Sequence, residues 1–115
     1  MLFSEVARLL DAEVLCCEDM LDREVHNACA SDMMSDVLAF VKELCLLLTG
    51  LINQQVIRTA EMLDIECVIF ARDKQPIEAI IELAKEKRVI VMRTPYLMYE
   101  ACGRLYTGGL RGEDG

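Results

Sequence analysis

The sequence has few of the residues that most often carry catalysis or bind metals. Its 115 residues include a single histidine, His26, and no tryptophan. No C-x-x-C or H-x-x-x-H spacing occurs, so a structural zinc site has no recognisable second pair of ligands. His26 and Cys29 lie on a predicted strand, where positions three apart point to opposite faces. We therefore predict no catalytic constellation, no metal site and no cofactor.

Long apolar runs and an excess of basic residues are also missing. The longest such run, Leu44 to Ile52, is shorter than the roughly 18 residues that a membrane-spanning helix needs. Acidic residues number 20 against 12 basic ones, and the formal charge of -8 disfavours nucleic acids and anionic membranes as partners. The N-terminus has no basic segment ahead of an apolar block. We therefore expect a cytoplasmic protein whose cysteines are reduced.

Hydrophobic residues make up 54% of the chain, which is enough to form one core, while the length leaves little room for a second. Short apolar runs predict buried strands over Leu44 to Leu48, Cys67 to Phe70 and Val89 to Met92. Amphipathic stretches between them predict helices over Asn53 to Leu63 and Pro76 to Lys87. This alternation predicts a single three-layer α/β domain with a mostly parallel sheet, in which these three strands are central.

The remaining elements are predicted from weaker patterns. We expect a helix over Ser4 to Asp11, a strand over Glu13 to Cys17, a loop over Glu18 to Glu24, an exposed strand over His26 to Ala30, a helix capped by Ser31-Asp32, a last helix over Tyr96 to Tyr106 and a frayed tail over Leu110 to Gly115. The chain is therefore predicted to form one domain over residues 1–109 followed by a flexible tail over residues 110–115.

The carboxyl ends of parallel strands meet at one edge of a sheet, so the segments after the three strands should face a common crevice. Arg72 and Arg93 are suited to gripping a carboxylate or phosphate there; the alternative is surface pairing with Asp73, Glu66 or Glu100. The candidate ligand-binding residues are Thr49, Gly50, Asn53, Arg72, Asp73, Arg93, Thr94 and Tyr96.

The cysteines and an acidic loop leave further alternatives open. Cys45, Cys67 and Cys102 are expected to fill the core. The adjacent pair Cys16-Cys17 is expected to expose one thiol, because neighbouring side chains on a strand face opposite ways, and a redox role for it stays open. The acidic cluster Asp19, Asp22 and Glu24 is read as a solvated loop, with cation binding as the alternative.

Three segments carry a family resemblance: Leu46-Leu47-Leu48-Thr49-Gly50, the helix and strand through Ala60 to Phe70, and Arg93-Thr94-Pro95-Tyr96. They resemble the DRTGG domain, a small α/β module found beside CBS domains and at the end of some phosphate acetyltransferases. The last segment is the most specific, since the family pattern there ends in Thr-Pro-Tyr followed by Asp-Thr. The resemblance implies a fold related to the N-terminal domain of HPr kinase/phosphorylase.

The sequence departs from the family pattern at three places. Leu51-Ile52 stand where the family has Asp-Arg, Ala71-Arg72-Asp73 where it has Thr-Gly-Gly, and Leu97-Met98 where it has Asp-Thr. Thr107-Gly108-Gly109 lies beyond the last predicted helix and is read as a coincidence. The glycines of the family pattern would allow the close backbone approach that anion cradles use, and their replacement removes it.

The two apolar pairs predict a surface for self-association, formed by Leu51, Ile52, Leu97 and Met98 at the crevice edge. A mean hydropathy of +0.28 is more than a chain of this size readily hides, and a homodimer is the commonest way to cover the excess. The competing account is that these side chains fold back onto the core.

We therefore expect a non-catalytic regulatory or protein-interaction module, which is a homodimer with a possible protein partner encoded nearby, as the resemblance implies. The alternative is a sensor of a small anionic ligand or nucleotide at the carboxyl ends of the strands. An enzyme of unknown reaction ranks third, because Thr49, Asp73 and Thr94 supply polar groups without a nucleophile, base and orienting triad.

Overall fold

The computed structural model describes residues 1–41 and 46–112. Within them, one sheet contains five strands in the order β1-β5-β4-β3-β2. The strands are β1 (Glu13–Cys16), β2 (Ala28–Ala30), β3 (Leu46–Thr49), β4 (Cys67–Phe70) and β5 (Ile90–Arg93). Strands β2 to β5 pair in parallel, while β1 pairs antiparallel with β5. The predicted mixed α/β fold with a mostly parallel sheet is confirmed.

The described helices pack as two groups. They are α1 (Phe3–Leu9), α2 (Met34–Phe40), α3 (Gln54–Met62), α4 (Glu78–Lys87) and α5 (Met98–Thr107). Helix α3 contacts α2 and α4, and α1 contacts α5. Strands β2 to β5 follow one another in order across the sheet, so right-handed crossovers put α2, α3 and α4 on the same face. Helices α1 and α5 then form the other outer layer.

The three strands predicted to be central are central in the sheet. Every residue of β3 and β4 is buried, and the first three residues of β5 are buried as well. Continuous apolar segments of this kind suit parallel strands covered by helices on both faces. Leu44 and Cys45, the first two residues of the first predicted strand, lie outside the described residues.

Several predicted boundaries shift by a few residues. The segment predicted as a loop begins with a 3-10 turn over Glu18–Met20, and the exposed strand begins at Ala28. The last helix begins at Met98 because the backbone of Leu97, its N-cap, is still extended. Ser31 and Asp32 precede α2 but do not cap it, since Met33 holds the N-cap position.

The segment predicted as a tail is attached to the domain at its start. Leu110 is buried, and its N–H donates to the carbonyl of Leu105 at 3.0 Å. The carbonyl of Arg111 accepts from the N–H of Ala28 at 3.0 Å, beside the edge strand β2. The packed part of the chain therefore reaches past residue 109, and residues 113–115 lie outside the described part.

The expectation that the vicinal cysteines expose one thiol is wrong. Cys16 and Cys17 are both buried, because a register shift follows Val14 and Cys17 then turns into a left-handed conformation with φ of 60°. The Cys16 thiol donates to the carbonyl of Val89 at 3.3 Å. Burial, and next the neighbouring Cys17, raise the pKa of Cys16 to about 12. This thiol is therefore a protonated part of the core at neutral pH.

No helix in residues 1–41 and 46–112 is long and apolar enough to cross a membrane. The same residues bring no three potential metal ligands together. In the acidic loop, Asp19 pairs with Arg88, and the hydrogen bond from this guanidinium lowers the pKa of the Asp19 carboxyl. This carboxylate is thus directed at an arginine of the same chain.

Candidate functional site

A crevice lies at the carboxyl edge of the parallel strands, with a cavity volume of about 340 Å³. Its walls come from the segments that follow β2, β3, β4 and β5. The lining residues are Asp32, Gly50, Ala71, Arg72, Leu97, Met98 and Tyr99. The crevice therefore combines one acidic and one basic side chain with apolar and aromatic ones.

Backbone hydrogen bonds continue past the strands and hold the crevice walls together. The N–H of Ala71 donates to the carbonyl of Thr49 at 2.9 Å. The N–H groups of Arg72 and Asp73 donate to the carbonyls of Tyr96 and Thr94, at 2.8 and 2.6 Å. These three N–H groups are already used and are therefore not available to cradle an anion.

The loop after β4 keeps a backbone shape that favours glycine. Arg72 and Asp73 both have positive φ angles, of 61° and 56°. Side chains with a Cβ are strained in this region, whereas glycine is not. These two residues stand where the DRTGG pattern has Gly-Gly. The chain thus keeps the turn although it lacks the glycines that adopt positive φ angles without strain. Strain of this kind persists only where the surrounding structure enforces it.

Asp32 is a crevice residue that the sequence reasoning missed. Its Oδ1 accepts hydrogen bonds from the Gly50 N–H at 2.6 Å and from the Thr49 hydroxyl at 3.1 Å. The carboxylate thus occupies the position where a bound anion would meet the backbone after β3. The signal was present in the sequence, because Asp32 follows the predicted strand ending at Ala30. A fourth parallel strand would have placed it at this edge.

Lys74 also reaches the crevice edge from the loop after β4, and it was not among the predicted residues. Its ammonium group donates to the Gly50 carbonyl at 2.6 Å. Gly50 is therefore held through its N–H by an acid and through its carbonyl by a base. These two contacts fix the turn that leads from β3 towards α3.

The two predicted arginines do not act as a pair. Arg93 Nε lies 3.0 Å from Glu13 Oε1 and 3.6 Å from Asp73 Oδ1. This nitrogen is buried. It forms an ion pair with Glu13, but the geometry of the contact is not that of a hydrogen bond. Arg72 is exposed, and within the described part of the chain its side chain has no ion pair or hydrogen bond. Arg72 is therefore the cation left available at the crevice.

The other predicted ligand residues have structural contacts. Thr49 and Thr94 are fully buried, and the Thr94 hydroxyl donates to the carbonyl of Leu10 at 2.6 Å. The Asn53 side chain accepts from the Val56 N–H at 3.2 Å and so caps α3. The Tyr96 ring lies under the Arg104 guanidinium, 4.0 Å from the ring centroid. These contacts join elements of the fold, and Gly50 and Arg72 remain at the crevice surface.

The predicted interface residues are unequally exposed. Leu97 is 61% exposed, whereas Leu51, Ile52 and Met98 are half-buried and pack against the core. Three of the helices that follow parallel strands have exposed apolar N-cap residues, namely Met33 before α2, Ile77 before α4 and Leu97 before α5. Because these helix starts lie at the carboxyl edge, that edge has exposed apolar side chains beside the crevice.

The fold and the site define a small three-layer α/β domain with a carboxyl-edge crevice. The chain belongs to the DRTGG domain family, whose pattern matches residues 5–107. The resemblance seen in the sequence is thereby confirmed. No curated protein matches the chain.

A solved structure shares the fold. It is the crystal structure of the CBS and DRTGG domains of the regulatory region of Clostridium perfringens pyrophosphatase, complexed with the activator diadenosine tetraphosphate. The identity is 22% and the TM-score 0.73, over 89% of this chain and 44% of that one. The present chain thus spans less than half the length of that regulatory region.

Proposed function

We propose that this chain is a non-catalytic regulatory module that acts through protein contacts, and that its first partner is a second copy of itself. The observation that carries the proposal is the exposed apolar surface at the carboxyl edge. Met33, Ile77 and Leu97 are 58%, 63% and 61% exposed, and Tyr99 beside Leu97 is 92% exposed.

These exposed side chains are unfavourable in an isolated domain. An apolar N-cap leaves helix N–H groups without the side-chain acceptor that Ser, Asp or Asn would supply, which costs about 1 kcal/mol for each helix. An apolar side chain that stays in water adds no stability, whereas a contact that buries a leucine side chain contributes about 1.5–3 kcal/mol to the free energy of association. A two-fold contact between copies is the commonest way to cover such a surface.

The regulatory part of the proposal rests on family membership and on the neighbour, whose DRTGG domain belongs to a regulatory region. The non-catalytic part rests on the contacts that the candidate polar side chains make within the fold. Thr49 and Thr94 are buried and hydrogen-bonded, and Asp73 lies beside Arg93. His26 is exposed and lies 4.0 Å from Glu24. A protein partner encoded nearby and a cytoplasmic location stay predictions.

Light scattering at micromolar concentration tests self-association. We expect a mass of twice the 13.0 kDa of one chain for the wild type. Leu97→Asp should give a monomer with unchanged helix content by circular dichroism. Met62→Asp is the matched control, because Met62 is 67% exposed but lies at the end of α3, away from the carboxyl edge. A monomeric wild type contradicts the proposal.

A second candidate function is a sensor of a small anion, and the observation that favours it is Arg72. Its guanidinium is exposed at the crevice beside Leu97 and Tyr99, without a partner among residues 1–41 and 46–112. A phosphate or carboxylate would supply that partner through bidentate hydrogen bonds. The Gly50 N–H argues against a deeper anion position, because it already donates to the Asp32 carboxylate.

Thermal shift with inorganic phosphate, nucleotides, diadenosine tetraphosphate and small carboxylates tests the sensor. A ligand that binds the folded state raises the melting temperature. We expect that rise to disappear in Arg72→Ala and to persist in Arg58→Ala, which removes an exposed arginine from α3. If no compound raises the melting temperature, the sensor is excluded and self-association is unaffected.

A further inference from the structure

The outer face of α5 has two exposed tyrosines separated by a glycine. Tyr99 is 92% exposed and Tyr106 is 59% exposed, while Ala101 and Leu105 of the same helix are buried. At about 100° per residue, Tyr99, Gly103 and Tyr106 lie within roughly 60° of one another around the helix. They form a stripe that points away from the sheet, which we call the α5 stripe.

Nothing among residues 1–41 and 46–112 requires a glycine at position 103. It lies within α5 without a positive φ, and a Cβ built on it would meet no described atom within 4 Å. Glycine inside a helix is destabilising relative to alanine. Gly108 is different, because a Cβ there would lie 2.6 Å from Leu9 Cδ1. The absent side chain at Gly103 leaves room on the surface for a second backbone.

The charges beside the stripe are a second, independent observation. Glu100 and Arg104 lie on one flank of the α5 stripe, and they pair with each other at 3.1 Å. They are the only charged residues of α5, and the Arg111 guanidinium beyond the helix lies over the Tyr106 ring, 3.8 Å from its centroid. This face therefore has no net negative charge, on a chain whose formal charge is -8. Two copies of so acidic a chain repel each other, and a face without net negative charge is where they approach most easily.

The pattern is self-complementary under two-fold symmetry. Consider two α5 helices that lie antiparallel, with the two-fold axis between Cys102 and Gly103. Tyr99 then lies opposite Tyr106 of the second copy, and Glu100 comes within about 1.5 Å, one residue along the axis, of the level of Arg104 of the second copy. A two-fold axis brings the same flank of both helices together, so Glu100 of each copy faces Arg104 of the other and the pair occurs twice in the dimer.

We propose that α5 pairs antiparallel with α5 of a second copy, crossing near Gly103. This inference rests on the proposed self-association and specifies its geometry. The pairing covers both tyrosines, uses the space at Gly103 and matches opposite charges. It also continues from the exposed surface at Leu97, which immediately precedes α5.

Complementary charge variants test the pairing directly. Glu100→Arg gives a helix with two bases, and Arg104→Glu gives one with two acids. Each variant alone places like charges opposite each other twice in the dimer, so we expect each to weaken dimerisation by about tenfold or more. A 1:1 mixture of the two variants should regain the dimer mass, because every acid then faces a base again. Charge pairing confined to one helix does not produce this rescue.

Controls separate this inference from the proposed self-association. Glu82→Arg and Lys85→Glu change the analogous surface pair of α4, which lies 3.3 Å apart, and both should remain dimers. Gly103→Leu should be monomeric with unchanged or greater helix content. If the wild type is a dimer but both α5 charge variants stay dimeric, or their mixture stays monomeric, the α5 pairing is overturned and self-association stands. A monomeric wild type overturns both.

Discussion

Single residues with strained backbones mark the loop after β4. Arg72 has a φ of 61° at a position where the family pattern has glycine. Left-handed backbone costs a residue with a Cβ roughly 1–2 kcal/mol, and introducing glycine gives back about 0.4–1 kcal/mol by making the unfolded chain more flexible. We therefore expect Arg72→Gly to raise the free energy of unfolding by about 0.5 kcal/mol, measured by urea denaturation.

Arg58→Gly is the control for that measurement. Arg58 is exposed within α3, where glycine is unfavourable, so this variant should lose about 1 kcal/mol. A loss of stability in Arg72→Gly similar to that in Arg58→Gly would show that the arginine side chain contributes more than its backbone strain costs.

The buried Cys16 thiol predicts a loss of stability in alkali. Its pKa in the folded protein is about 12, against an ordinary value of 9.0. The unfolded chain loses this proton first, so the free energy of unfolding should fall as pH rises from 9 towards 12, by up to about 1.4 kcal/mol per pH unit. Urea denaturation at several alkaline pH values should show a smaller fall in Cys16→Ala. Equal slopes in the two proteins would contradict the assignment.

At the level of elements, α3 depends on a cap that sequence reasoning assigned to a ligand. The Asn53 side chain accepts from the Val56 N–H at 3.2 Å. We expect Asn53→Ala to destabilise the protein by about 1 kcal/mol and Asn53→Asp to restore most of that loss, because aspartate caps equally well. Thermal denaturation measures both. An alanine variant as stable as the wild type would remove the capping role.

The central strands were predictable because each is a continuous apolar segment between amphipathic helices. The topology also predicted that the segments after Leu48, Phe70 and Met92 share one edge. The side-chain pairings at that edge were not predictable, because they depend on distant strand pairing. Arg93 meets Glu13 because β1 joins β5 in antiparallel register, with these two residues opposite each other.

The contact between Asp32 and Gly50 was unpredictable for the same reason, since it also depends on which strands pair. It reaches Gly50 because β2 lies beside β3, with Ala30 opposite Leu48. β2 has three described residues, too few for a clear apolar pattern. Cys17 was misjudged for a related reason, since a strand rule was applied to a residue that has already left the strand. Local patterns thus predicted the elements, while long-range pairing decided which polar groups stay available.

For the whole molecule, the carboxyl edge and α5 lead to one expectation about stability. A chain that folds as a dimer and unfolds to monomers gains stability as its concentration rises, because association favours the folded state. A tenfold rise in concentration adds about 1.4 kcal/mol per dimer, or half of that per chain. A monomer shows no such dependence.

We therefore expect the melting temperature of the wild type to rise by about 3 °C for each tenfold increase in concentration, measured by differential scanning calorimetry. Leu97→Asp and Gly103→Leu should melt at temperatures that do not depend on concentration, because neither associates. Met62→Asp should keep the wild-type dependence, since its exposed side chain lies outside both surfaces. A concentration-independent wild type would mean that the apolar carboxyl edge and the α5 stripe do not join two copies of this chain.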